Sequence, residues 1–352
     1  MRERKWSVRT RGWSVRDRRG ALRGGLGIEL AVLTVLLVAG CTGESGEGGV
    51  IDLSFGHVGA PGSLFAISAE EFARRANAEL AGRAQVNVFG SSQLGGDEVM
   101  LQKLKLGTLD FALPSTIMSS TVEAFGLFEM PYLVQDRAHM RRIEEEIVWP
   151  VLVLQAEERG YTILAVWENG FRHVTNNTRP VVTPSDLSGI KLRTPRGIWR
   201  VKLFQAFGAN PTPMPLSEVF VALQTGVMDG QENPLAQIHA SKFQEVQTYL
   251  SLTGHVYTPA YVTVGASWDR LPEDVRATLQ RIASENQSFV HETATQMDAD
   301  FLVELREAGV EVNQPDRDAF IRASTEIFEE FGSTVEGGEA MVADALSLVE
   351  GA

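Results

Sequence analysis

Apolar and polar residues alternate over "IDLSF" (51–55), as in a strand with one covered face, and "GHVGAPGS" follows as a loop. The next apolar positions, Ala69, Phe72, Ala73, Ala76 and Leu80, recur at helical spacing and predict a helix. "AQVNVFG" reads as a second strand, 98–106 as a helix, and "LDFAL" as a third strand that stops at Pro114. This β-α-β-α-β order predicts an α/β fold with a mostly parallel sheet, helices on both faces, and ligand-binding loops beyond the strands' carboxyl ends.

The pattern then repeats in kind. "YTILAVWEN" (161–169) is a buried strand, and "NNTRPVVTPSDLSG" supplies turn chemistry. In "IKLRT" the residues Ile190, Leu192 and Thr194 share one face, which leaves Lys191 and Arg193 on the other. Helices are expected over 196–207, 217–225 and near Leu235, around "GANPTPMP" and the strand edge and loop of "VMDGQENP". From 272 to about 308 no clear breaker interrupts the helical pattern and no heptad is sustained, so a strut across two lobes is expected. "GVEVNQP" is a late strand, and helices over 316–331 and 339–349 close the chain.

Composition narrows what such a molecule does. At 352 residues, 44% apolar and 22% charged, the chain can bury two cores. Its formal charge of -13 hides a split: residues 1–27 hold nine Lys and Arg against two acids, whereas from Cys41 onward 23 basic residues face 42 acidic ones. So acidic a body is not expected to bind nucleic acid. The basic start leads into "IELAVLTVLLVAG", short for a membrane span but suited to a signal-peptide core. "LVAGC" (37–41) looks like a bacterial lipobox, with Cys41 as the lipidation site; the alternative is a buried free cysteine on an ordinary helix. No other cysteine exists, which excludes intramolecular disulfides. The expected layout is a lipoprotein signal segment (1–41), a flexible tether (42–50), and a body held outside the cytoplasmic membrane by acyl chains alone.

Catalysis finds no footing. Phosphate-cradling "GxxxxGK[ST]" and zinc-binding "HExxH" are absent, and the six histidines are scattered. Glu218, Asp229, Glu232 and His173 come without a nucleophile or bond-polarising partner, so neither an enzyme nor a cofactor is expected. A calcium-assisted ligand site through Glu232 stays open.

Five segments carry a family resemblance: "FGSSQLGG" (89–96), "LGTLDFAL" (106–113), "TPSDLSGIKLRTP" (183–195), "GANPTPMPLSEVFVALQTGVMDGQENPLAQI" (208–238) and "KFQEVQTYLSLTGH" (242–255). In this order they resemble the extracytoplasmic solute-binding proteins of TRAP transporters, in the dicarboxylate-binding-protein-like (DctP-type) group. The resemblance implies a two-lobed periplasmic-binding-protein-like fold with a central cleft and a long lobe-spanning helix. It also implies capture of a small organic acid, whether a dicarboxylate, a keto or hydroxy acid or a sugar acid, and its delivery to a sodium-coupled membrane permease. Lobe I is expected over 51–169 with 258–298, and lobe II over 170–257 with 299–352. A sensor subunit, presenting the closed complex to a signalling partner, is the alternative. A monomer is expected.

The resemblance assigns Arg193 to the ligand carboxylate, with Arg172 and Asn233 as further contacts. Chemistry agrees, because a carboxylate stripped of water needs a counter-charge, and guanidinium matches its two oxygens. Arg172 could instead bridge the lobes, and Asn233 could cap the helix after Pro234. His57 and Ser115 follow strands one and three at the expected cleft edge, though His57 could be an ordinary loop residue. Trp167 and Tyr257 are candidate cleft walls, with core packing as the equal alternative. Leu216 stands where many relatives carry an aromatic residue, and Arg200 would be a further cation if it faced inward.

Overall fold

The computed structural model describes residues 49–349, whose buried apolar side chains gather into three clusters. The proposed signal segment, Cys41 and the tether up to residue 48 lie outside the described residues. Two sheets define two lobes. The first contains β1 (Ile51–Gly56), β2 (Ala84–Phe89), β3 (Phe111–Ala112), β4 (Thr162–Phe171) and β10 (Tyr257–Val264), in the order β2-β1-β3-β10-β4. The second contains β5 (His173–Asn176), β6 (Lys191–Thr194), β7 (Asn210–Pro213), β8 (Gly230–Asn233), β9 (Tyr249–Ser251) and β11 (Glu311–Asn313), in the order β11-β9-β5-β8-β6-β7.

Each sheet is parallel except for one strand. β10 runs against both β3 and β4, and β5 runs against both β8 and β9. These odd strands lie next to the crossings between lobes: Arg172 alone separates β4 from β5, and 252–256 joins β9 to β10. Gly170, at φ +117°, lies beside the bulge at Thr258/Pro259, and this left-handed conformation lets β4 bend just before Arg172.

The helices before the crossing are α1 (Leu64–Glu79), α2 (Asp97–Leu106), α3 (Arg137–Ile143) and α4 (Val153–Glu158). Those of the second region are α5 (Ile198–Ala206), α6 (Leu216–Gln224) and α7 (Leu235–Ala240). α8 (Glu273–Glu307) is one unbroken helix of 35 residues, about 50 Å long at 1.5 Å per residue. Its first half, through Val275, Leu279 and Ile282, shares a core with Leu53, Phe55, Phe72 and Trp167; its end, at Leu305, packs with Val219, Ile238 and Leu250 of the other lobe. Trp167 donates its indole N–H to Ala283 O (2.9 Å), and Arg137 bridges Glu168 and Asp298 (both 2.6 Å), tying β4 and α3 to this strut.

The tail differs from the expected single helix over 316–331. Ser324 turns its Oγ back to Phe320 O (2.6 Å), and the chain breaks there into α9 (Arg317–Arg322) and α10 (Thr325–Thr334), before α11 (Gly338–Ser347).

Candidate functional site

A cavity of about 370 Å³ opens between the lobes. Its walls come from the carboxyl ends of strands, as an open α/β sheet requires: Val58 after β1, Ser115 to Ile117 after β3, Arg193 on β6, and Met214 to Glu218 after β7. The first turn of α2 contributes Gly96 to Val99, and the crossing contributes Asn169 and Arg172.

Arg193 is 3% exposed, and its Nε and Nη2 both donate to Met214 O (2.9 and 2.6 Å). Among the described residues no carboxylate lies within ion-pair distance of it. Burial pushes its guanidinium down to about 9, with Glu232 and Asp97 pulling it back, so it remains a cation at neutral pH. Arg172 is held differently. Its Nε and Nη2 meet the Glu232 carboxylate at 2.6 and 3.0 Å, and Nη2 also donates to Glu232 O and Asn233 Oδ1.

Behind them sits a network of fully buried side chains. Arg200 Nη1 donates to Glu232 Oε2 (2.6 Å), and its Nε lies 2.8 Å from Glu129 Oε2. Burial alone would raise the Glu232 carboxyl, but Arg172, Arg200 and a bond to His255 outweigh it and hold Glu232 well below the usual carboxylate range. Burial lowers His255 to about 4, so the ring is neutral; its Nε2–H donates to Glu232 (3.0 Å) and Nδ1 accepts from Thr253 Oγ1 (2.8 Å). Glu232 is thus fully engaged by protein groups, and among the described residues no group of three or more His, Cys, Asp or Glu is placed to hold a metal ion.

The cavity brings together Arg193, Arg172, Asn233, Ser115 and Leu216. Asn233 bonds Arg172 and Gln231 through its side chain, rather than capping α7. Ser115 Oγ donates to Pro259 O (2.6 Å) and accepts from Asn169 (3.2 Å). Three expected contacts are not on the lining. Trp167 is core, its ring 6.3 Å from Phe55 and its N–H satisfied by α8. Tyr257 is buried against Phe171 (5.0 Å) and bonded to Glu168. His57 is covered by the Gly90 turn and held neutral, at about 4, by burial. Arg200 does face inward, but it serves the ion network and not the lining.

Sequence reasoning missed Asp97, Asn169 and Gln237 on the lining. The first-turn acid after "LGG" was the available signal, since it begins a helix directly after a turn. It also missed Arg196, which reaches Glu98 of α2 (3.1 Å) at the cavity wall. This pair is half exposed, so Arg196→Ala should leave the melting temperature nearly unchanged; stopped-flow release should speed up by no more than about fivefold, the yield of an exposed pair worth up to about 1 kcal/mol.

His57 supplies a pH test. Its folded value lies below the ordinary 6.5, so the unfolded chain takes up the proton first, and stability falls as pH drops from 6.5 towards 4. Urea unfolding at pH 7 and pH 5 should show His57→Asn losing about 2 kcal/mol less than wild type across that interval. Other titrating groups are common to both proteins and drop out of the comparison.

Two α/β lobes joined by crossing strands and a strut, with a buried cation facing the cavity between them, define a solute-binding protein. The chain belongs to the bacterial extracellular solute-binding proteins of family 7, the DctP-type receptors of TRAP transporters, whose family model matches residues 55–334. It is 34% identical over 271 residues to the 2,3-diketo-L-gulonate-binding periplasmic protein YiaO of Escherichia coli, covering 76% of this chain and 83% of that protein. An uncharacterized Sinorhizobium fredii protein, y4mM, is 37% identical over 281 residues; the match spans 79% of this chain but only 52% of that longer protein. A TRAP periplasmic solute-binding protein of Polaromonas, solved with D-erythronate, superposes with a TM-score of 0.82 at 31% identity, covering 86% of this chain and all of that one. The Sulfurospirillum deleyianum protein solved with succinate gives 0.82 at 30% identity, with the same coverage. The family consists of receptors, not enzymes, and acts outside the cytoplasm.

Proposed function

We propose that this chain captures a small organic acid between its lobes, with Arg193 pairing the ligand carboxylate and Arg172, Asn233 and Ser115 shaping the same end of the cleft, and delivers it to a TRAP-type sodium-coupled permease. One observation carries the reading: a buried cation that has no carboxylate at ion-pair distance among the described residues faces a cavity at the strands' carboxyl ends. The organic acids bound to its structural relatives, D-erythronate and succinate, fit that demand. Lobe I comprises 51–169 with 258–298, and lobe II 170–257 with 299–352; they hinge at Arg172, at 252–256 and along α8. Residues 1–41 direct export, and lipid on Cys41 anchors the receptor through the tether.

The test is thermal stabilisation of the unit from Gly48 onward, refolded to strip captured ligand, across a panel of mono- and dicarboxylic acids. Binding to the folded form raises the melting temperature by mass action, so at least one acid should give a saturable shift. A panel without a shift sinks the proposal.

A further inference from the structure

A polar row crosses the second sheet on a face that is otherwise apolar. Thr175 on β5 stands opposite Gln231 on β8 to one side and Leu250 on β9 to the other, and Gln231 is in register with Arg193 on β6. Residues in register share a face, and Leu250 on that face packs with Val219, Leu235 and Ile238. Thr175 and Gln231 are nevertheless polar and buried, as is Gln247 beyond them, and none of the three lines the cavity. Their side chains form one chain of hydrogen bonds that ends at it. Gln247 Nε2 donates to Val246 O (3.0 Å), Thr175 Oγ1 to Gln247 Oε1 (2.9 Å) and Gln231 Nε2 to Thr175 Oγ1 (2.9 Å). Asn233 Nδ2 then donates to Gln231 Oε1, and Arg172 Nη2 to Asn233 Oδ1 (3.0 Å).

A side-chain amide can exchange its oxygen and nitrogen by rotation, but both ends of this chain forbid it. Arg172 has donors only, so Asn233 must turn its oxygen to it; Val246 O only accepts, so Gln247 must turn its nitrogen there. Followed inward from either end the donors run the same way, and every group between has a single orientation. Asn233 keeps one N–H for the cavity that it lines. We infer that Thr175, Gln231 and Gln247 are positioning residues for ligand capture: a one-way buried relay, anchored on the Val246 carbonyl, that holds the Asn233 oxygen on Arg172 and leaves an N–H for the ligand. This rests on the proposed place of Arg172 and Asn233 at the carboxylate end of the cleft and deepens it. Reversing any link sets N–H against N–H or oxygen against oxygen, and a buried donor or acceptor without its partner is costly.

Thr175→Val keeps the shape and removes the hydroxyl, which strands the Gln231 N–H and frees its amide to turn. Calorimetry on the ligand-stripped unit, with D-erythronate and succinate as probes, should show an acid that wild type binds held about tenfold more weakly by Thr175→Val, and Thr175→Ser within about threefold of wild type. Gln247→Leu breaks the relay at its far end and repeats the test should the valine form fold poorly; it should weaken binding at least about threefold. Spectra of the ligand-free unit labelled with nitrogen-15 asparagine, with Asn233→Ala to identify the signal, give a readout without ligand. The Asn233 amide proton bonded to Gln231 should exchange slowly with solvent in wild type and Thr175→Ser, and at least about tenfold faster in Thr175→Val. A merely structural role would lower the melting temperature of the variants and leave affinity within about twofold. That result overturns the inference, as does a serine form as weak as the valine form, or equal exchange in all three proteins. Arg193→Ala separates the failures. If it abolishes binding that the relay variants leave intact, only the relay falls; if it binds as wild type does, or wild type binds neither acid, the clamp falls and the exchange rates alone decide the relay.

Discussion

Arg193→Ala is expected to cut ligand affinity by about thirtyfold to a few thousandfold, since truncating one partner of a buried charge pair costs about 2–5 kcal/mol. The loss should come in the dissociation rate, because the cation acts in the closed cleft and not on the encounter of an acidic molecule with an anion. Arg193→Lys should recover only part of it: an ammonium supplies the charge but not the planar fork. The empty receptor should respond in the opposite direction. Burial already depresses Arg193 to about 9, and among the described residues Met214 O alone accepts from its donors, so removing it relieves an uncompensated cation. Calorimetric titration with a bound acid, alongside melting of the ligand-free variant, reads both effects. Weak binding with an unchanged or raised melting temperature is the expected result. Weak binding with a lowered one would make Arg193 a structural residue instead.

The two-residue period of "IKLRT" places Arg193 on the face opposite Leu192 and Thr194, but a surface arginine fits that pattern as well, and only the family resemblance gives it a ligand role. Pattern alone read α8 almost to the residue, since thirty-five positions without a breaker leave few alternatives. Other parts resisted. β10 carries Pro259 and is buried at every position, so "YTPAYVTV" shows neither alternation nor clean strand composition; only its place between β3 and β4 explains it. Residues 144–152 continue as a π-helical stretch through Pro150, which a sequence reading takes as a stop. Trp167 and Tyr257 could be wall or core, and hydrophobicity does not separate the two; the bonds to Ala283 O and Glu168 decide for core. Asp97 escaped because a first-turn acid on a helix is common at any surface.

The ion network was the least visible part of the site, and it carries the largest stability effect. Glu129, Arg172, Arg200, Glu232 and His255 are scattered over 127 positions of the chain and show no periodicity that groups them. Glu232 is their hub. Glu232→Gln leaves Arg172 without an ion-pair partner and Arg200 with Glu129 alone, next to the already uncompensated Arg193. Breaking a buried pair in this way costs about 3–5 kcal/mol, which at about 2–4 °C per kcal/mol lowers the melting temperature by roughly 10 °C. Because partners hold the Glu232 carboxyl well below its ordinary range, its contribution is complete above the unfolded glutamate range and is lost as pH falls through the depressed folded value. The gap between wild type and variant should therefore be full at pH 7 and shrink only in strong acid. Charge, not shape, is the cause, so the double variant Arg172→Met/Glu232→Gln should recover part of the loss: it removes the stranded cation and keeps Arg200 with Glu129. Urea unfolding of the wild type, both single variants and the double variant closes the cycle. A double variant less stable than Glu232→Gln alone would mean that Arg172 holds the lobe crossing by its contacts to Glu232 O and Asn233 rather than by its charge.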